Sequence, residues 1–259
     1  MKENLTVHVF QPNVAWEDPT ANKTKYENWL GKIDDQQKSL VIFPETFLTG
    51  FSMNTQLLGE GMDSKSVDWM KDMASKFQKI LAGSHIIKDG NNFFNRFLFV
   101  FPDGRVEVYD KRHLFRMGEE HNHFAKGESR RIITVGKWRI MPIICYDIRF
   151  PVWIRNRNDY DVLICIANWP AVRQTIWNNL LITRAIENMS YMIGVNRVGM
   201  DGNQIQYVGG SQCIDPKGDY ILKSDDQEAV FTFVLKKDPL ENFRKKFPVH
   251  LDADDFIIK

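Results

Sequence analysis

The sequence predicts an α/β fold built in layers, a covered sandwich of sheets and helices. Short runs rich in β-branched and aromatic residues recur along the chain, and segments of helical period lie between some of them. Several strand-like runs are apolar throughout: Ile140-Met-Pro-Ile-Ile-Cys145 and Asp161-Val-Leu-Ile-Cys-Ile-Ala167 leave no wet face, so their sheet must be covered on both sides.

Taken in order, Leu5 to Phe10 reads as a first strand and Asn22 to Ile33 as a helix. The apolar run Leu40 to Phe43 is a strand stopped by Pro44, and Val67 to Gln78 has helical spacing. Ile80 to Ile87 and Phe93 to Phe101 follow as strands. The turn residues Pro102-Asp103-Gly104 then lead into a strand-like Arg105 to Asp110. Trp138 to Cys145, apolar from Ile140 onward, and the apolar Val162 to Ala167 are strands, Thr175 to Asn188 is helical, and Tyr191 to Val198 is a strand. Asp201-Gly202-Asn203 and Pro216-Lys217-Gly218 mark turns on either side of a strand holding Cys213, and Val230 to Leu235 is the last strand. The segment from Asp238 to Lys259, charged with scattered aromatics, is expected to pack across a neighbouring surface. No turn is long enough to be a linker, so residues 1–259 are expected to form one domain.

Composition excludes several classes. With 43% apolar and 26% charged residues the chain has the make-up of an ordinary globular core, and a net charge of +1 supplies no field to gather nucleic acid or an anionic membrane. Charges at Lys2 and Glu3 interrupt the N-terminus too early for a secretory segment, and no apolar run approaches the roughly 18 residues of a membrane span. A cytoplasmic location is expected. Three widely spaced cysteines, Cys145, Cys165 and Cys213, make neither a disulfide framework nor a zinc site, so no metal or other cofactor is expected. The expected partner is a small molecule, not nucleic acid or membrane.

Cys145 ends an apolar strand, and in open α/β architectures ligands gather at the carboxyl ends of strands. A free cysteine is by default a buried, inert thiol, as Cys165 within Val-Leu-Ile-Cys-Ile-Ala and Cys213 illustrate. A nucleophilic thiol needs a base to take its proton and donors for the oxyanion that follows. Glu45, just past a buried strand, is placed to shuttle a proton. Lys111, after the strand ending at Asp110, offers a point charge among aromatic neighbours. His113 ranks behind Glu45 as a base. Glu119 and Glu120, beside His121 and His123, read by themselves as a polar surface loop without metal-ligand spacing.

Together, Phe43-Pro-Glu-Thr, Tyr109-Asp-Lys-Arg-His-Leu-Phe and Ile144-Cys-Tyr-Asp-Ile-Arg-Phe-Pro resemble, in order and spacing, the three signatures of the nitrilase (carbon-nitrogen hydrolase) superfamily. The resemblance implies an αββα sandwich paired into a homodimer. It implies Cys145 as nucleophile, Glu45 as general base, Lys111 as oxyanion stabiliser and Glu120 as a second glutamate that helps position substrate. Further stretches, including Arg116-Met-Gly-Glu-Glu-His, Asn168-Trp-Pro, Arg184-Ala-Ile-Glu-Asn and Val195-Asn-Arg-Val-Gly-Met-Asp-Gly, resemble the bacterial omega-amidases, which hydrolyse the terminal amide of 2-oxoglutaramate. The implied reaction runs through a thioester on Cys145, with the backbone N–H of Tyr146 as a second oxyanion donor. A substrate carboxylate would need a cation: Arg173 suits it because a guanidinium pairs with a carboxylate through two bonds, and Arg149 competes for the role. Trp169 and Phe124 are candidate pocket walls. A nitrilase or an N-carbamoyl amidohydrolase would share the thioester, and a non-catalytic scaffold would need none of these four polar residues.

Overall fold

The computed structural model describes residues 4–34 and 38–258; Lys2, Glu3 and Lys259 lie outside the described residues. Its strands are β1 Asn4–Gln11, β2 Leu40–Ile42, β3 Ile80–Asp89, β4 Asn92–Val100, β5 Val106–Asp110, β6 Ile133–Val135, β7 Trp138–Ile144, β8 Val162–Ile166, β9 Tyr191–Val195, β10 Val198–Met200, β11 Gln206–Val208, β12 Gln212–Ile214, β13 Tyr220–Lys223 and β14 Ala229–Lys236. Among the described residues they form two six-stranded mixed sheets, in the orders β14-β1-β2-β3-β4-β5 and β13-β12-β9-β8-β7-β6, and a small β10-β11 ribbon. Within each sheet three strands run parallel, β1-β2-β3 in one and β7-β8-β9 in the other, and antiparallel strands close the edges.

Alternation along β1 shows the layering. Val7 and Val9 join the core between the sheets, which also holds Ile42, Phe97, Phe99, Ile144 and Ile164. Phe10 and Val41 join a second cluster with Tyr26, Leu30, Val67, Met70 and Ala74, from the helices Pro19–Leu30 and Lys65–Phe77. On the other side, helix Gln174–Asn188 lies on the second sheet through Trp177, Leu181 and Ala185. It comes so close to β9 that a Cβ added at Gly194 would stand 2.6 Å from Leu181 and 2.8 Å from Trp177. The result is the expected helix-sheet-sheet-helix sandwich.

Differences from the expected elements have local causes. The first helix starts at Pro19, three residues early, because Asp18 accepts from the Ala21 N–H at 3.0 Å and Pro19 fills the first helical position, where its missing N–H costs nothing. The run Tyr191 to Val198 is not one strand. It breaks after Val195, where the Asn196 side chain donates to Trp169 O and Gly209 O and the Arg197 guanidinium to carbonyls on either side, turning the chain into β10. The C-terminal segment begins as helix Lys237–Lys246, which buries Leu240 and Arg244 against its own chain.

The topology also places the chemistry. The chain leaves β2 toward Glu45, β5 toward Lys111, β7 into Cys145 and β8 toward Asn168, all at carboxyl ends of strands running the same way within their sheets.

Candidate active site

Glu45 lies fully buried beyond Pro44, in a turn where Thr46 takes a positive φ of 44° and its N–H donates to Ser84 Oγ at 2.8 Å. Four donors surround its carboxylate and backbone. Lys111 Nζ gives to Oε1 at 2.9 Å, Asn95 Nδ2 to Oε1 at 2.8 Å, the Asn168 N–H to Oε2 at 2.9 Å, and Asn168 Nδ2 to the Glu45 carbonyl at 2.7 Å.

Lys111 is also buried, and its ammonium donates a second bond to Glu120 Oε1 at 2.9 Å. Burial alone would lower its pKa, but the charges of Glu120 and Glu45 prevail and hold it above the usual lysine value. Glu120 is likewise fully buried, and its other oxygen accepts the Phe115 N–H at 2.6 Å. Burial raises its pKa while Lys111 pulls the other way. The surface-loop reading therefore holds for Glu119, His121 and His123, which are exposed, and fails for Glu120. Glu119 adopts a φ of 56°, and this left-handed residue turns the next side chain inward.

Cys145 leaves β7 with a φ of 46°, a left-handed conformation that costs a non-glycine residue about 1–2 kcal/mol. Asp147 holds the turn. One of its oxygens accepts the Ile144 N–H at 3.0 Å and the Tyr109 hydroxyl at 2.7 Å, the other the His113 N–H at 2.9 Å, so the exits of β5 and β7 are laced together. Burial pushes the Cys145 thiol well above its usual pKa, Glu45 adds in the same direction, and Lys111 opposes both. A thiol shifted in that direction needs a base to ionise it.

Cys145 and Lys111 open onto a cavity of about 230 Å³. Its walls are apolar at Phe51, Met53, Phe115, Trp169 and Ile205, and Tyr146 sits beside the thiol. Arg149 and Arg173 line it too, and among the described residues neither has a carboxylate partner. Arg149 stacks over Trp169 at 5.5 Å, and Arg173 lies 5.3 Å from the Phe115 ring. Asp201 contributes a carboxylate already satisfied by the Asn203 and Ile205 N–H groups and the Tyr207 hydroxyl.

The structure thus brings Glu45, Lys111, Glu120 and Cys145 into one electrostatic cluster and puts Tyr146, Trp169, Arg149 and Arg173 around its opening. One expectation fails, and His113 takes its structural alternative. Phe124 does not line the cavity: Ala125 bonds to Phe93 O, so the chain follows β4, and Phe124 packs with Ile86 and Phe93. His113 does not face the cavity either; it stacks on Phe150 at 3.7 Å and bonds Asp147 through Nδ1 at 2.8 Å. Neither Glu45 nor Glu120 lines the cavity itself; Glu120 meets its lining through Lys111 and the Phe115 N–H. Sequence reasoning gave no role to Asn95, Asn168 or Asp147. An asparagine inside the aromatic run Phe93-Phe94-Asn95-Arg96-Phe97 was the available signal, since such a residue in a buried strand must have a partner.

The sequence profile of the carbon-nitrogen hydrolase family matches residues 6–238. The chain belongs to this family. Among curated carbon-nitrogen hydrolases, omega-amidase YafV of Escherichia coli K12 is 42% identical over 253 residues, covering 97% of this chain and 98% of that one. The 2-oxoglutaramate amidase of Bacillus subtilis is 28% identical over 252 residues, 95% of this chain and 96% of the relative. The crystal structure of XC1258, a CN-hydrolase superfamily protein of Xanthomonas campestris, superposes with a TM-score of 0.96 at 39% identity, covering 99% of this chain and 100% of that chain. The chain is thus a carbon-nitrogen hydrolase whose matched relatives include proteins named as amidases.

Proposed function

We propose that this carbon-nitrogen hydrolase releases ammonia from the terminal carboxamide of a small dicarboxylic acid monoamide, such as 2-oxoglutaramate or succinamate, through a thioester on Cys145. The observation that carries this reading is the composition of the cavity: a thiol and an ammonium side by side in its lining, apolar walls, and two guanidinium groups without carboxylate partners among the described residues. A substrate with an amide at one end, a short chain and a carboxylate at the other complements that order. The names of the omega-amidase and 2-oxoglutaramate amidase relatives support it.

In this reading Glu45 takes the Cys145 proton as the sulfur attacks the amide carbon. Lys111 Nζ holds the oxyanion together with the Tyr146 N–H, which lies in the first turn of the helical segment Cys145–Arg149, where an N–H has no acceptor within the turn. Glu45 returns the proton to the departing ammonia and then activates the water that hydrolyses the thioester. Glu120 positions the substrate indirectly, by fixing Lys111. Arg173 takes the far carboxylate, with Arg149 and Trp169 beside it. The protein is further proposed to work as a cytoplasmic homodimer, with the exposed Val152 and Ile176 as candidates for the shared face.

Ammonia release across a panel of 2-oxoglutaramate, succinamate, a short nitrile and an N-carbamoyl amino acid tests the assignment. The two monoamides are expected to turn over fastest, and Arg173→Ala to raise KM for them about tenfold or more, the loss of one charged pair. Preference for the nitrile or the carbamoyl compound, or an Arg173→Ala enzyme that discriminates as before, would refute it.

A further inference from the structure

The bonds around Glu45 distinguish its two oxygens. Oε1 accepts from Lys111 Nζ at 2.9 Å and Asn95 Nδ2 at 2.8 Å, and a carboxylate oxygen has two lone pairs, so both are in use. Oε2 accepts one short bond, from the Asn168 N–H at 2.9 Å, and only a long one from Asn168 Nδ2 at 3.5 Å, and Asn168 lines the cavity with Cys145, whereas Asn95 and Glu120 do not.

We propose that Asn95 is a positioning residue of the reaction: with Lys111 it occupies Glu45 Oε1 and leaves Oε2 as the atom that takes the proton of Cys145. This rests on Glu45 being the base. In the step, the S–H bond breaks and its proton passes to Oε2. The sulfur electron pair forms the C–S bond, and the carbonyl π pair moves onto the oxygen held by Lys111.

The orientation of Asn95 supports a dedicated role. Its Nδ2 lies between two carboxylates, 2.8 Å from Glu45 Oε1 and 3.5 Å from Glu120 Oε1, and a flipped amide would set a carbonyl against both. The forced orientation leaves Asn95 Oδ1 buried without a partner, a destabilising arrangement that an apolar side chain would avoid. Its backbone carbonyl accepts the Lys111 N–H at 3.0 Å, so one residue fixes both the ammonium's segment and the carboxylate it serves. The groups acting electrostatically with Glu45 are Lys111, Glu120, Cys145, Cys165 and Tyr207. None of them replaces the donor on Oε1 that Asn95 supplies.

Asn95→Leu, read by kcat, KM, the pH dependence of kcat/KM and the urea midpoint, is the test. The expected result is a kcat about 10- to 100-fold lower with KM little changed. The acid limb is expected to move to higher pH, because a carboxylate that loses a donor is protonated more readily. The urea midpoint is expected to fall, because the charge-assisted bond to the buried Glu45 is lost and removal of the unpaired carbonyl offsets only part of it, so the split between kcat and KM and the acid limb carry the test. Asn95→Ser, which keeps a hydroxyl donor, is expected to fall between the two and serves if the leucine variant does not fold. A variant with unaltered kcat and acid limb overturns the proposal, provided that Glu45→Gln is inactive. An active Glu45→Gln overturns instead the assignment of Glu45 as base.

Discussion

At the scale of single residues, Lys111 decides the character of the site. One ammonium lies between two buried carboxylates, Glu45 and Glu120, with the Phe51 ring 5.0 Å away, and the group is short of one positive charge. Removing one partner of a buried ion pair typically costs about 3–5 kcal/mol, because the remaining charge is left uncompensated. Lys111→Ala is therefore expected to lose on the order of 100- to 1000-fold in kcat, as for a missing oxyanion donor, and also to unfold at lower urea. The stability loss has a pH signature. Glu120, already raised by burial, rises further without the ammonium. A carboxyl whose folded pKa is raised binds its proton more tightly folded than unfolded, so the variant loses stability as pH rises above the usual carboxyl range. Urea midpoints at pH 5 and pH 7.5 should show the larger deficit at pH 7.5. Equal deficits, or near-normal turnover, would contradict this role.

At the scale of elements, the site is assembled by strand exits held together by side chains of other exits. Asp147 links the segment after β5 to the turn after β7, and Asn168 links the turn after β2 to the end of β8. Asp147→Ala would leave the Tyr109 hydroxyl and the Ile144 N–H buried without their acceptor. It should cost about 3 kcal/mol in urea unfolding and reduce turnover along with stability. A fully stable but inactive protein would argue against the lacing. These links also explain how far the sequence could be read. Long apolar runs such as Trp138 to Cys145 announced themselves because a strand buried on both faces has one pattern available to it. Cys145 and Glu45 were legible because each follows such a run; Lys111, which follows the half-exposed, charged strand Val106–Asp110, stood out only through its place in the three ordered signatures. The break at Asn196-Arg197 and the inward turn at Glu120 were not, since each depends on tertiary partners: carbonyls of Trp169 and Gly209 in the first case, Lys111 in the second. Phe124 was misplaced for the same reason, its position following from the inward turn before it.

At the scale of the molecule, the C-terminal helix is fastened to the second sheet by charge. Asp161, just before β8, accepts hydrogen bonds from Arg139, Lys237 and Arg244, joining the β7 start, the helix Lys237–Lys246 and the β8 start. Burial works to raise its pKa, but the bonds from Arg139 and Lys237 prevail and bring it down to about 2. A depressed carboxylate contributes stability that is complete above its unfolded pKa and is lost as pH falls through the folded one. Asp161→Asn is expected to lower stability by about 1–2 kcal/mol at pH 7, after allowing for solvent around the cations, and to flatten the stability profile between about pH 4 and pH 2. An unchanged acid profile would contradict it.

All three scales converge on the Cys145 thiol, whose pKa burial and Glu45 raise and which the lacing of two sheets holds against the cavity. The most direct measurement is intact mass after rapid acid quenching of the enzyme with 2-oxoglutaramate or succinamate. The account predicts a covalent acyl adduct on Cys145, formed as ammonia is released and absent, with turnover, in Cys145→Ala. Continued ammonia release by Cys145→Ala, or turnover across the monoamides without any adduct on the wild-type protein, would contradict it.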